Sequence, residues 1–264
     1  MPTPCPALAA LRAGIERIEG RKHLSDTVLP FGLAALDGCL PGGGLALHAL
    51  HEVAGGEPGP AHAAAATLFA AGIASRLDGP VLWCLGQPDL FPPALARAGL
   101  TEERIVYAEA PDNTALLSCF EEGLRHGGPA VVIGEVTALS LTASRRLQLA
   151  AEQGKSMGIA IRRPPRSRRS AHPFLQPGAA ATRWTVSSRP TEPLGMPGVG
   201  RGRWHLELVR CRGGRPGEFE VEECDETGSL GLVSLLGHRG PSTAGTPDGA
   251  DEHAVVAPYR RRAG

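Results

Sequence analysis

The chain has 264 residues with 27 basic and 27 acidic side chains, so its formal net charge is zero, and only Lys22 and Lys155 are lysines. Glycine (35) and proline (24) are plentiful, yet 42% of residues are hydrophobic, which is enough for one medium-sized core with long loops or tails. No apolar run approaches the ~18 residues of a membrane span, and Met1–Ala13 lacks the basic start and apolar core of a signal peptide, so a cytoplasmic protein is expected.

In chain order, Leu8, Leu11, Ile15 and Ile18 fall at helical spacing, and residues 1–23 read as a helical arm before a domain spanning 24–239. His48–Ala54 reads as a short strand, Gly55–Pro60 as a Gly/Pro loop, and Ala61–Leu77 as an alanine-rich helix buried against a sheet. The short apolar runs Pro80–Leu85, Ile105–Ala108, Pro129–Ile133 and Gly158–Ile161 have the length of fully buried parallel strands. Helical stretches separate them, with Ser140–Gln153 between the last two, and this alternation predicts an α/β domain around a mostly parallel sheet. Arg183–Ser187, Arg203–Arg212 and Glu218–Glu223 alternate in polarity and predict antiparallel β structure, with a hairpin over Gly213–Gly217. Residues 240–264 are Gly/Pro/Ser/Thr-rich and read as a disordered tail.

The six cysteines contain no C-x-x-C pair, and His48 and His51 lack a third ligand. Neither a disulfide framework nor a metal site is signalled, and no cofactor is expected.

Charge is unevenly spread: residues 1–154 carry −6, 155–215 carry +11, 216–252 carry −8 and 253–264 carry +3. Arg162, Arg163, Arg166, Arg168 and Arg169 form the densest basic run. A charge run by itself is usually a solvated loop, but arginine also offers a planar donor fork to phosphate. Near the C-terminus, Phe219 and Val221 are expected to pack on their own domain. Leu230, Leu232, Leu235 and Leu236 are candidates for a partner-docking patch.

A strand, a Gly-rich loop and a buried helix are the layout of a phosphate-binding loop, and Gly55, Gly56, Glu57, Pro58, Gly59, Pro60, Ala61 and His62 occupy that place. A working loop needs a second glycine, a lysine and a Ser/Thr hydroxyl where Pro60, Ala61 and His62 stand. Proline also removes an amide donor from the cradle.

Val28–Gly59 (VLPFGLAALDGCLPGGGLALHALHEVAGGEPG) resembles the entry to a RecA-type ATPase core. Gly217–Arg239 (GEFEVEECDETGSLGLVSLLGHR) resembles the ending of the ImuA family, bacterial RecA-like proteins of damage-induced mutagenesis. The likeness implies a RecA-like P-loop-type core with a degenerate nucleotide site over residues 24–239. The lysine and threonine of active relatives fall at Ala61 and His62, their catalytic glutamate near Gln87, and their Mg²⁺-supporting aspartate at Gly134. Glu135 follows Gly134 and could stand in for it only if the strand register slipped by one, which would point it to the opposite side. These losses imply a protein without ATPase activity.

The loop after the strand equivalent to Gly158–Ile161 contacts single-stranded DNA in RecA-like proteins, and Arg162–Gln176 takes that place here. Phe174 is its one aromatic residue, so salt-sensitive, sequence-indifferent binding is expected, with an acidic protein surface as the other candidate ligand. The family further implies an accessory role in error-prone translesion DNA synthesis of the SOS response. Its expected partners are RecA, an ImuB-type polymerase-like protein and an error-prone C-family DNA polymerase at damaged DNA in the nucleoid. Two other readings stand beside it: an active DNA-dependent ATPase with an atypical site, and a SulA-type cell-division inhibitor.

Overall fold

The computed structural model describes residues 28–163, 174, 176–191 and 200–233. The expected N-terminal arm and C-terminal tail lie outside the described residues, as do Arg166, Arg168, Arg169, Leu235 and Leu236.

A nine-stranded sheet organises the fold. Its parallel part consists of β3 (Leu50–Gly55), β4 (Val81–Leu85), β5 (Ile105–Glu109), β6 (Val131–Val136) and β7 (Met157–Arg162), together with β8 (Thr182–Arg189). From β8 the sheet continues antiparallel through β9 (Arg203–Cys211), β10 (Gly217–Glu222) and β11 (Gly231–Leu232). The order is β11-β10-β9-β8-β3-β7-β6-β4-β5. A separate two-stranded ladder joins β1 (Val28–Leu29) to β2 (Leu45–Ala46). The strand expected over Arg183–Ser187 is therefore a junction, parallel to β3 on one side and antiparallel to β9 on the other. The hairpin over Gly213–Gly217 is present between β9 and β10.

Five α-helices, α1 (Ala34–Asp37), α2 (Pro60–Ser75), α3 (Pro92–Arg97), α4 (Asn113–His126) and α5 (Leu141–Gly154), and two short 3-10 helices at Pro41–Gly43 and Glu102–Arg104 complete the described residues. Asp112 caps α4 by accepting from the Thr114 and Ala115 amides, and Ser140 caps α5 by accepting from Ala143. None of these helices is long and apolar enough to cross a membrane.

The strands of a sheet covered on both faces bury both sets of side chains. On one face α2 packs on Val53, Val81, Trp83, Ile133, Ile159, Trp184 and Val186; on the other α4 and α5 pack on Leu50, Cys84, Val132, Val136 and Ala160. Phe69 of α2 is the centre of an aromatic group, with Phe31 stacked at 5.8 Å, Trp184 at 5.7 Å and Trp204 edge-on at 6.4 Å between ring centroids. Such pairs contribute about 0.5–1.5 kcal/mol each beyond the area they bury.

His51 of β3 is buried. Its Nε2–H donates to the Ala46 carbonyl at 2.8 Å and its Nδ1 accepts from Thr182 Oγ1 at 2.7 Å, while Trp184 Nε1 donates to the same hydroxyl at 2.8 Å. Burial, aided by Arg212 and opposed by the Ala46 bond, lowers the imidazole pKa to about 4 from 6.5. A neutral folded histidine stabilises fully above the unfolded value, and that contribution is lost as pH falls from 6.5 towards 4. Urea unfolding should therefore show roughly 3 kcal/mol of stability lost across this window from His51. His51→Gln should be less stable at neutral pH but free of that part of the pH dependence.

Candidate functional site

β3 runs into Gly55, and the chain turns through Gly56–Gly59 before α2 begins at Pro60. The loop leans on β8: the Gly56 amide donates to the Val186 carbonyl at 3.0 Å, and a Cβ on Gly56 would lie 2.2 Å from Ser187 Oγ. Gly59 adopts φ 145°, a conformation side chains disfavour. Glu57 reaches Arg189 at 3.0 Å and lies 3.8 Å from His62 Nε2, while His62 Nδ1 accepts from the Ser188 amide at 3.2 Å. Ala61 and His62 stand in the first turn of α2, and both polar side chains of this segment are engaged by β8. Gln87 is exposed in the loop after β4.

β6 extends three residues beyond the expected Pro129–Ile133 run, and this places the two neighbouring candidates on opposite faces. Gly134 faces α4, where a Cβ would lie 2.4 Å from the Phe120 ring, so no carboxylate fits there. Glu135 faces α2 and is buried. Its carboxylate accepts from Trp83 Nε1 at 3.1 Å and from Arg163 Nη2 at 2.9 Å. Arg163 Nε sits 2.7 Å from the other oxygen but is not aligned as a hydrogen-bond donor. Arg163 also reaches Asp89 at 3.5 Å and Thr67 at 3.4 Å. Burial raises the Glu135 pKa, opposed chiefly by the Arg163 charge and the Trp83 bond.

A second buried carboxylate, Glu52 of β3, lies on the face covered by α4 and α5. Arg183 holds it through Nε at 3.3 Å and Nη2 at 3.2 Å, with Arg162 Nη1 3.9 Å away. The Arg183 guanidinium also lies over the Phe174 ring, 5.4 Å from its centroid. Two of the arginines expected to meet DNA, Arg162 and Arg163, are thus paired with acids inside the fold. Sequence reasoning does not reach Glu52, Arg183, Trp83, Asp89 or Arg189. The available signal is an acid embedded in each of two apolar strands, HEVA and VVIGEV.

Leu230 corrects the expected docking patch: it is 7% exposed and belongs to the core on the α2 side, whereas Leu232 is 55% exposed. The reversal comes from the turn preceding it. Asp225 Oδ1 accepts from the Thr227 amide at 2.9 Å, the Thr227 hydroxyl at 2.6 Å and the Ser229 amide at 3.1 Å, which folds the chain back over α2. Phe219 and Val221 are buried as expected.

No family model matches the chain. Over 202 residues it is 42% identical to protein ImuA of Caulobacter vibrioides, in strain NA1000 / CB15N and equally in strain ATCC 19089, covering 74% of this chain and 83% of that protein. The chain belongs to the ImuA family. A shorter match, 40% identical over 68 residues, links this ImuA-family chain to the cell division inhibitor SulA of Pseudomonas aeruginosa, covering 26% of this chain and 42% of that one. The crystal structure of the RadB recombinase superposes with a TM-score of 0.55 at 18% identity, covering 78% of this chain and 100% of that one. The fold of the ImuA-family chain is therefore RecA-like, as its sequence implies.

The geometry at Gly134 yields a direct expectation. Gly134→Asp should destabilise the fold by about 1–3 kcal/mol or more through overpacking against Phe120. A lowered urea midpoint is the expected result.

Proposed function

We propose that this protein is a non-catalytic accessory factor of damage-induced, error-prone translesion DNA synthesis, a RecA-like scaffold that binds without turning over ATP. The observation that carries this reading is the ImuA match on a chain with Ala61 and His62 where a working phosphate loop has lysine and a hydroxyl. Pro60 opens α2 without an amide donor, and the Glu57, His62 and Arg189 contacts tie the loop to its own sheet. Support also comes from Gly134, whose surroundings leave no space for an acid.

A RecA-like core that does not cycle still has an output in what it holds. The segment after β7 carries Arg166, Arg168 and Arg169 beyond the two internally paired arginines, and we assign to it a sequence-indifferent contact with single-stranded DNA. RecA, an ImuB-type polymerase-like protein and an error-prone C-family polymerase are the partners that this role requires.

Purified full-length protein given ATP and single-stranded DNA should release no phosphate above background. Steady turnover that Glu135→Ala abolishes would replace this reading with an atypical ATPase. Ala61→Lys combined with His62→Thr should leave damage-induced mutagenesis no higher than wild type. Replacing Arg166, Arg168 and Arg169 by serine should weaken single-strand binding and reduce the slope of log affinity against log salt by about 0.7 for each phosphate no longer neutralised.

The SulA match favours one second reading, a cell-division inhibitor, although it spans 26% of the chain. Pull-down of the division protein FtsZ by the purified chain would favour it; absence of binding removes it.

A further inference from the structure

Cys84 of β4 and Cys119 of α4 stand 35 positions apart in the chain, yet the Cys84 Sγ–H donates to Cys119 Sγ at 3.5 Å, so their sulfurs are in contact. Two glycines bring α4 down onto the sheet at this point. A Cβ on Gly123 would lie 2.4 Å from Leu82 Cδ2 and 3.3 Å from Val132 Cγ1, and one on Gly134 would lie 2.4 Å from the Phe120 ring. Leu82 and Val132 are paired neighbours on β4 and β6, as are Cys84 and Gly134 two residues further along. Four residues of helix rise about 6.0 Å and two of strand about 6.6 Å. A helix seated with Gly123 over the first row therefore sets Cys119 and Phe120 over the second.

The two thiols differ in access. Cys84 is fully buried, and burial together with the neighbouring Cys119 sulfur raises its pKa above the ordinary thiol value. Cys119 is only partly buried. Elsewhere, Cys39 donates to the Ala35 carbonyl, and burial pushes the Cys211 and Cys224 thiols up to about 11 and about 12.

We propose that Cys84 and Cys119 form a peroxide-reactive dithiol that closes reversibly to a disulfide. Cys119, the more accessible thiol, reacts first: its thiolate attacks one oxygen of a hydroperoxide and the O–O bond breaks. The released oxygen takes the proton that the thiol gave up and leaves as water or an alcohol, and Cys119 becomes a sulfenic acid. The Cys84 sulfur then attacks the Cys119 sulfur; the S–O bond breaks, the Cys84 proton leaves with the hydroxide as water, and the S–S bond forms. The two thiols lose two electrons in all, and the peroxide gains them. Closure brings the sulfurs together by roughly 1.5 Å, from contact to the bonded distance. The cross-link ties α4 to β4 and restricts the unfolded chain, which should raise the melting temperature by about 5–15 °C.

Reduced full-length protein is treated with a small excess of hydrogen peroxide, alkylated with N-ethylmaleimide in guanidinium and digested with trypsin. The fragments Leu77–Arg97 and Ile105–Arg125 contain one cysteine each, so mass spectrometry without reductant reads the pair directly. The two fragments should appear joined, lighter than their sum by two hydrogen atoms, and dithiothreitol should separate them. Cys119→Ser should abolish the link and leave Cys84 fully alkylated. Cys84→Ala should leave Cys119 as a sulfenic acid that dimedone traps. The wild-type readout needs neither variant to fold. Two free thiols after peroxide, or Cys119 carried on to a sulfinic acid beside a free Cys84, would overturn the proposal. So would a bond from either cysteine to Cys39, Cys211 or Cys224 in preference to the other.

Discussion

The helix Pro60–Ser75 is largely buried from Ala65 to Ala74, and the fold on its side of the sheet depends on covering it from both sides. Its inner side packs on the parallel sheet. Its outer side is closed from two distant parts of the chain: Phe31 stacks on Phe69, and the Cys224–Leu230 turn lies against Gly72 so closely that a Cβ there would meet Cys224 Sγ at 2.3 Å. A helix of this composition has no polar face to offer water, so its cover has to be built in. The ImuA-like ending supplies part of that cover.

That same helix starts at the Gly55–Pro60 loop, which links core packing to the candidate site. Gly56 lets the loop approach β8, and Ser188 and Arg189 of β8 then engage His62 and Glu57. β8 is the strand at which the sheet changes from parallel to antiparallel, so the loop rests on the junction between the RecA-like core and the C-terminal extension. Two buried acids do comparable work at the neighbouring strand end, where consecutive arginines of β7 diverge to the two faces of the sheet.

Much of the architecture is legible in the sequence because its strands are short apolar runs bounded by glycine and proline. Sequence and structure part where polarity and position disagree. The apolar run Pro129–Ile133 ends at Gly134 and Glu135, yet β6 continues through both, because a partner for the acid arrives from Arg163 and Trp83 on other elements. Leu230 has the pattern of an exposed apolar patch, and the Asp225 turn folds it inward. The basic run is uniform in sequence, but its first two members are paired with acids that lie far away in the chain.

By itself the sequence determined the α/β alternation, the antiparallel C-terminal hairpin, the Gly/Pro-rich loop ahead of the buried helix, and the likeness to the ImuA family. These are properties of local pattern and spacing, which chain order preserves. Tertiary structure alone decided which helix each strand-end residue meets and which charge neutralises it. Glu52 with Arg183 and Glu135 with Arg163 are ion pairs between segments that meet only in the assembled sheet. No periodicity of a single segment encodes a contact of that kind.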